Sequence, residues 1–334
     1  GRPRKIWCTF DEEQIDLNVD SPVAKRWIRE NLEFLAKQGA AIIRLDAFAY
    51  ATKKPGTDCF FVEPEVWALL QECADILKPA GCVMLPEIHE HYTMQLKVAG
   101  HGYYVYDFAL PMLLLHALYT GEAGRLRHWL DICPRRQFTT LDTHDGIGLV
   151  DVRDLLSDEE IELTRERLYA QGGNVKKVYS TTAYNNLDIY QINCTYYSAL
   201  GENDDAYLLA RAIQFFTPGI PQVYYVGMLA GANDIELVEK TKTGRDINRH
   251  YYTKQEVAQE MERPVVQKLR ALMRLRNIHP AFGGNLEITE PAQGQLELRW
   301  CNDAHQACLW ADFAAKEFTI NCTGSWPGLQ PVVL

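Results

Sequence analysis

Three segments of this chain read as short buried strands that each end on a carboxylate. They are Ala41-Ile42-Ile43-Arg44-Leu45-Asp46-Ala47, Val83-Met84-Leu85-Pro86-Glu87-Ile88-His89, and Phe138-Thr139-Thr140-Leu141-Asp142-Thr143-His144-Asp145-Gly146. Strand side chains alternate faces, so Arg44 and Asp46 point the same way. A charged pair at the end of an apolar strand is costly to bury without a partner or a task. Strand ends that deliver carboxylates to one rim have the layout of an active site at the C-terminal face of an α/β barrel.

Helical periodicity fills the intervals. Ser21-Pro22 suits the start of a helix, Trp27, Ile28, Leu32 and Leu35 recur at helical spacing, and Gly39 ends it. Pro64 starts a second helix with Trp67, Leu70, Ala74 and Leu77 on its apolar stripe. A strand at 103–109, an apolar helix at 111–119, a helix around 124–132 and a strand at 138–143 continue the alternation. Residues 150–200 are more polar and irregular. A helix at 205–216, a strand at 220–226 and a long helix at about 264–277 follow. After Gly284 the pattern changes to short alternating strands (286–289, 296–300, 307–310 and 318–320), which predicts a small antiparallel β domain. Strict strand–helix alternation means parallel strands with right-handed crossovers. Only five parallel strands are legible where a closed barrel needs eight. The fold is therefore either an open sheet or part of a barrel.

Composition removes several function classes. The net charge is −10 with no basic run, which argues against nucleic acid as a partner. No uninterrupted apolar stretch reaches the roughly 18 residues of a membrane span, and no signal peptide is visible. Nine cysteines, an odd number without a CxxC pair, favour reduced thiols and a cytoplasmic setting. The Asn-Cys-Thr sequons at Asn193 and Asn321 are read as accidental. Oligomeric state is not legible, and a homodimer is compatible with the sequence.

Each carboxylate has a plain reading: a cap, a salt-bridge partner, or a common loop pair for His144-Asp145. Glu87 with His89 and His91 raises a metal site, but the i, i+2 histidines suit two ligands on one face and leave a third unspecified. No metal and no organic cofactor is expected. Together the strand ends point to glycosidic chemistry, in which one carboxylate attacks the anomeric carbon and another protonates the leaving oxygen. Arg44 would keep the attacking group ionised, and burial beside a like charge would keep the acid protonated. A third carboxylate can stabilise positive charge on the ring.

These residues carry a family resemblance. Arg44-Leu45-Asp46-Ala47, the Glu87 strand end and His144-Asp145 resemble three short signature regions of the α-amylase superfamily, and Gln14-Ile15-Asp16-Leu17-Asn18 resembles its lead-in. The segments Leu141–Gly148, Asn186–Asn193, Thr195–Gly201, Pro221–Gly227 and Gly244–Tyr252 are similar to those of the sucrose phosphorylases, and the likeness runs from about Trp7 to Phe282. The resemblance implies a TIM barrel and a retaining double displacement: sucrose and inorganic phosphate give α-D-glucose 1-phosphate and fructose through a β-glucosyl-enzyme. By motif match Asp46 is the nucleophile, Glu87 the acid/base and Asp145 the transition-state stabiliser. Arg44 orients Asp46, His144 binds sugar hydroxyls and Arg249 holds the glucosyl unit. Asp188, Tyr190 and Gln191 fall in a loop that rearranges between fructose-bound and phosphate-bound forms. Tyr50, His89 and Gln191 match acceptor positions, and can supply the hydrogen-bond donors that phosphate needs at an acidic rim.

The chain departs from the family pattern at its start. Three leading βα units and an Asn-His pair are missing, and Gly1-Arg2-Pro3-Arg4-Lys5 resembles the middle of a domain. A barrel without those strands would leave edges unpaired, so the isolated chain is expected to be poorly stable or inactive. The domain expectation is a partial catalytic barrel at 1–149, an inserted loop-rich subdomain at 150–200, the end of the barrel at 201–282 and a truncated β domain at 283–334. Competing readings are a phosphorylase of sucrose 6′-phosphate, glucosylglycerate or glucosylglycerol, and a truncated, non-catalytic fragment of such an enzyme.

Overall fold

The computed structural model describes residues 2–3, 5–10, 12–173 and 191–323. Asp188 and Tyr190 lie outside the described residues. The chain divides into two compact units, residues 1–88 with 97–106, and residues 89–96 with 107–334. No helix among the described residues is long and apolar enough to cross a membrane.

The first unit opens with helix α1 (Pro22–Lys37), followed by strand β1 (Ile42–Leu45), helix α2 (Glu65–Leu77) and strand β2 (Val83–Pro86). Ser21 takes the N-cap position and Pro22 the first helical position, as the sequence suggests, but the Ser21 side chain makes no capping bond. Gly39, just past the helix, has φ +87°, a conformation that glycine tolerates without a Cβ penalty. β1 and β2 pair in parallel, with Ile42 opposite Val83 and Leu45 opposite Pro86. Parallel pairing with an intervening helix is the βαβ unit that the alternation predicted. Of the expected α2 stripe Leu70 and Leu77 are buried, while Trp67 and Ala74 give way on that face to their neighbours Val66 and Cys73. Val66, Leu69, Leu70, Cys73 and Leu77 face inward. Trp67 instead lies half-buried, its ring stacked on His101 with centroids 4.0 Å apart.

The chain crosses between the units within helix α3 (Tyr92–Gly100) and strand β3 (Val105–Asp107). The second unit then carries helix α4 (Leu110–Thr120), helix α5 (Gly124–Ile132), strand β4 (Gln137–Thr139), strand β5 (Ile147–Gly148) and helix α6 (Asp158–Ala170). Strand β6 (Gln191–Ile192), helix α7 (Asp204–Phe216), strand β7 (Ile220–Pro221) and helix α8 (Pro264–Ile278) follow. Every residue of α4 from Leu110 to Leu118 is buried, as expected of a helix that is apolar all round. It shares one core with α7, α8, Trp129 and the inner faces of the last strands. β4 pairs in parallel with β7, and β5 pairs antiparallel with β6. The expected strand at 220–226 is shorter than the pattern suggested: β7 stops at Pro221, and Tyr225–Met228 turns into a helical segment.

Four antiparallel strands close the described chain: β8 (Asn285–Thr289), β9 (Gln295–Asn302), β10 (His305–Asp312) and β11 (Glu317–Thr323), in spatial order β11-β10-β9-β8. Leu296, Leu298 and Trp300 alternate with polar neighbours and oppose Ala311, Leu309 and Ala307 across the pair. Such alternation gives the sheet one packed face and one wet face. The Trp300 indole N–H donates to the Phe216 carbonyl at 2.8 Å, tying the sheet to the end of α7.

Candidate active site

Asp46 and Glu87 are the residues that immediately follow the paired strand ends Leu45 and Pro86, so the β1–β2 register sets their separation. Arg44 reaches both of them. One guanidinium nitrogen is hydrogen-bonded to the Asp46 carboxylate, and the other stands 3.8 Å from Glu87 Oε2. Burial works against the Arg44 charge, but the Asp46 and Glu87 carboxylates outweigh it and hold the guanidinium pKa up. The two carboxylates differ in environment. The Asp46 side chain is 74% exposed and that of Glu87 only 11%.

Backbone geometry locks the two strand ends together. Ala47 sits at φ 45°, in the left-handed region that a residue with a Cβ rarely enters. In that conformation its N–H donates to Glu87 Oε2 at 2.8 Å, and the next N–H, from Phe48, donates to the Glu87 carbonyl at 3.2 Å. Glu87 N–H in turn donates to the Leu45 carbonyl at 2.9 Å. Tyr50 follows on the same turn, in edge-on contact with Phe10 and Phe60 at centroid distances of 5.3 and 5.0 Å.

The second unit assembles another group around the loop after β4. His144 Nε2 is 3.4 Å from Asp145 Oδ2. Two cations approach the other Asp145 oxygen, Arg245 at 3.3 Å and Arg249 at 3.7 Å. Arg249 also donates from Nε to the His144 carbonyl at 2.7 Å. Asn248, buried, donates to the carbonyls of Thr143 and Asp145 at 2.9 and 2.8 Å. Gln191 lies on the strand paired with β5, and its side-chain oxygen accepts from Gly146 N–H at 3.4 Å. A Cβ at position 146 would meet the Ile192 carbonyl oxygen at 2.8 Å, so only glycine allows this approach. His89 stacks on Phe108 at 3.7 Å between centroids and faces Asp151 at 3.4 Å. His91 turns to a different carboxylate, Asp154, at 2.9 Å. Among the described residues, no group of three or more His, Cys, Asp or Glu side chains is placed to hold a metal ion.

The sequence-derived candidates thus form two groups. Arg44, Asp46, Glu87 and Tyr50 stand on the β1 and β2 ends of the first unit. His89, His144, Asp145, Gln191 and Arg249 belong to the second. Sequence reasoning missed Ala47, Arg245 and Asn248. The last two lie within the Gly244–Tyr252 segment that carried part of the resemblance, so the segment was flagged without its contacts.

No family model matches the chain. A sucrose phosphorylase from Streptococcus mutans is 54% identical over 325 residues, covering 97% of this chain and 68% of that protein. Among solved structures, a sucrose 6F-phosphate phosphorylase from Thermoanaerobacter thermosaccharolyticum superposes with a TM-score of 0.89 at 41% identity, covering 95% of this chain and 66% of that one. An α-amylase from H. orenii shares the fold at 14% identity, with a TM-score of 0.64 over 91% of this chain and 57% of its own. The chain spans about two thirds of the length of both phosphorylases. The fold is of the α-amylase type with a C-terminal antiparallel sheet.

Proposed function

The chain belongs to the family of sucrose phosphorylases and related glucoside phosphorylases, and on that premise we propose that it transfers the glucosyl unit of sucrose to inorganic phosphate. Asp46 attacks the anomeric carbon and forms a β-glucosyl ester as fructose leaves with a proton from Glu87. Glu87 then accepts a proton from phosphate, whose oxygen attacks the anomeric carbon; the bond from that carbon to Asp46 breaks, the Asp46 carboxylate is restored and α-D-glucose 1-phosphate departs. The observation that carries this reading is Arg44 bridging an exposed carboxylate and a buried one on adjacent parallel strand ends. A guanidinium there holds the Asp46 carboxylate in place for attack, and Glu87 on the adjacent strand end is enclosed where a proton donor to the leaving oxygen would stand.

The remaining roles rest on motif match. Asp145 stabilises charge on the ring, His144 and Arg249 hold the glucosyl unit, Tyr50, His89 and Gln191 contact the acceptor, and Asp188 and Tyr190 belong with Gln191 to the segment that matches the family's rearranging substrate loop. We read the βα alternation as about five strands of an eight-stranded barrel, with the domain bounds given above and a cytoplasmic setting. The nine cysteines, all unpaired, are in keeping with that setting. The solved relative named for sucrose 6F-phosphate makes that substrate the second reading.

The test is direct. Purified chain is incubated with sucrose and phosphate and assayed for glucose 1-phosphate, with sucrose 6′-phosphate, glucosylglycerate and glucosylglycerol as parallel donors. Release of glucose 1-phosphate from sucrose ahead of the other donors is expected. No product from well-folded chain would reject the reading, and preference for a phosphorylated donor would replace sucrose with the second substrate.

A further inference from the structure

The loop that carries His144 and Asp145 has no regular structure of its own between β4 and β5. Beyond the short turn bond from Asp145 N–H to the Thr143 hydroxyl, contacts from outside the loop help set its position. Two backbone carbonyls on either side of His144, those of Thr143 and Asp145, point at one side-chain amide. Asn248 Nδ2 donates to both, at 2.9 and 2.8 Å. The two residues are more than a hundred positions away in sequence, and Asn248 is 2% exposed. It ends the one-turn helix Gly244–Asn248, which also presents Arg245 to the Asp145 carboxylate.

We infer that Asn248 is a positioning residue: it fixes the His144–Asp145 turn by pinning the carbonyls that flank it, and so sets where the Asp145 carboxylate stands. The step that would use Asp145 rests on the function proposed above, but the pinning itself does not. Two hydrogen bonds to partly buried carbonyls are the full donor capacity of an Asn amide. Removing them leaves both carbonyls without that partner and frees two backbone joints next to His144. No neighbour replaces the clamp with the same reach. Of the carbonyls in the turn Arg249 takes that of His144, its other contact being the Asp145 carboxylate at 3.7 Å, and the Thr143 hydroxyl accepts from the Asp145 N–H within the turn itself. Misplacing a group by about 1 Å at a reacting centre costs on the order of a hundredfold in rate.

The experiment has two arms, run on the full chain. Asn248→Ala removes the clamp, and Asn248→Ser keeps a smaller polar group that is too short to span both carbonyls. In the first arm, hydrogen exchange is followed by mass spectrometry on peptides covering 141–148, against peptides from α4 as the internal standard. Exchange about tenfold faster at 143–146 in both variants is expected, with α4 unchanged. Unchanged exchange at 143–146 overturns the clamp whether or not the chain turns over sucrose. A variant that exchanges faster everywhere, α4 included, also overturns it, because Asn248 would then be a general stability residue.

The second arm reads catalysis by a double-mutant cycle with Asp145→Asn. Asn248→Ala alone should lower kcat by about a hundredfold with KM within about twofold. In the Asp145→Asn background it should lower kcat by less than about threefold, because the group it positions is gone. Equal losses in both backgrounds overturn the positioning role. An inactive parent chain rejects the proposed function and leaves the clamp to be decided by the exchange arm.

Discussion

At the scale of single residues, the β1 and β2 ends are governed by which carboxylate keeps water. Asp46 is wet and paired, and Glu87 is enclosed. Glu87→Gln should therefore slow glucosyl transfer from sucrose by about a hundredfold or more, while a donor whose leaving group needs no proton, such as α-glucosyl fluoride, keeps most of its rate. Stopped-flow release of fructose and of fluoride measures both, and equal losses would remove Glu87 from the acid role. A second residue-scale effect concerns pH. Asp107 is fully buried, and burial pushes its carboxyl up to about 7 against hydrogen bonds from Leu110 N–H and the Trp129 indole. A carboxyl that binds its proton more tightly in the folded chain stabilises it fully below the unfolded value near 4. That contribution is lost as pH rises through about 7. Asp107→Asn keeps an acceptor oxygen and has no proton to lose. Its stability should fall less between pH 5 and pH 8 than the parent's, by on the order of 3 kcal/mol in urea unfolding. Parallel curves would disprove it. Asp46 and Glu87 were legible because strand alternation is local. Ala47 was not, because its left-handed turn is imposed by bonds from a strand forty residues later. Asn248 was not, because nothing in a one-turn helix announces a partner a hundred residues away.

At the scale of elements, start and stop signals were read more accurately than faces. Pro22, Pro64 and Pro264 mark helix starts within a residue of where they occur. Leu32 of α1 and Leu70 and Leu77 of α2 are buried as the spacing predicts, but Trp27 and Trp67 turn away from those faces, because an aromatic ring scores as apolar whichever way it points. Trp27 was grouped with Ile28, Leu32 and Leu35, yet at about 100° per residue it lies with Val23 and Phe34 on the opposite side from Leu32. β4 and β7 were overestimated for another reason. The pattern continues past the last strand residue, after β4 into the buried loop residues 140–142 and after β7 into the half-buried residues 222–224. Beneath those loops α7 supplies a buried cation. Arg211 contacts Asp142 at 2.6 Å, the Tyr207 hydroxyl at 3.0 Å and Gln214 at 2.8 Å. Taking one member from a buried pair leaves the other charge stranded. Arg211→Met should cost about 3–5 kcal/mol of stability, measured by denaturant unfolding, and a loss below 1 kcal/mol would contradict it. Gly227 belongs to the same arrangement. A Cβ there would run into the Asp142 carboxylate and the Arg211 guanidinium. Gly227→Ala should therefore be destabilising although it adds a single methyl group, and unchanged unfolding would show that the pair has room to yield.

At the scale of the whole molecule, apolar burial is distributed unevenly. The second unit holds one continuous core from Ala109 to Phe313. In the first unit, Ile6, Trp7, Phe10, Ile15, Leu17, Val23, Trp27, Phe34, Leu35 and Ile42 are all exposed, with Val23 at 72% and Phe34 at 58%. Val23, Trp27 and Phe34 fall within about 40° of one another around α1, so they form one apolar stripe facing water. Single exposed apolar residues are ordinary, but a contiguous stripe is a surface that binds. The net charge of −10 opposes association at long range, and salt screens that repulsion while leaving the apolar attraction in place. The isolated chain should therefore bind an environment-sensitive apolar dye, and should sediment as larger species as concentration rises, more so at high salt. Replacing Val23, Trp27 and Phe34 together by Gln should reduce both effects severalfold. It should change unfolding stability by less than about 1 kcal/mol, because exposed side chains contribute little to folding. Analytical ultracentrifugation of parent and triple variant at low and high salt distinguishes the causes. Association that weakens with salt would point to charge rather than to this stripe, and a parent that stays monomeric and dark to the dye would show that the stripe is not available to bind.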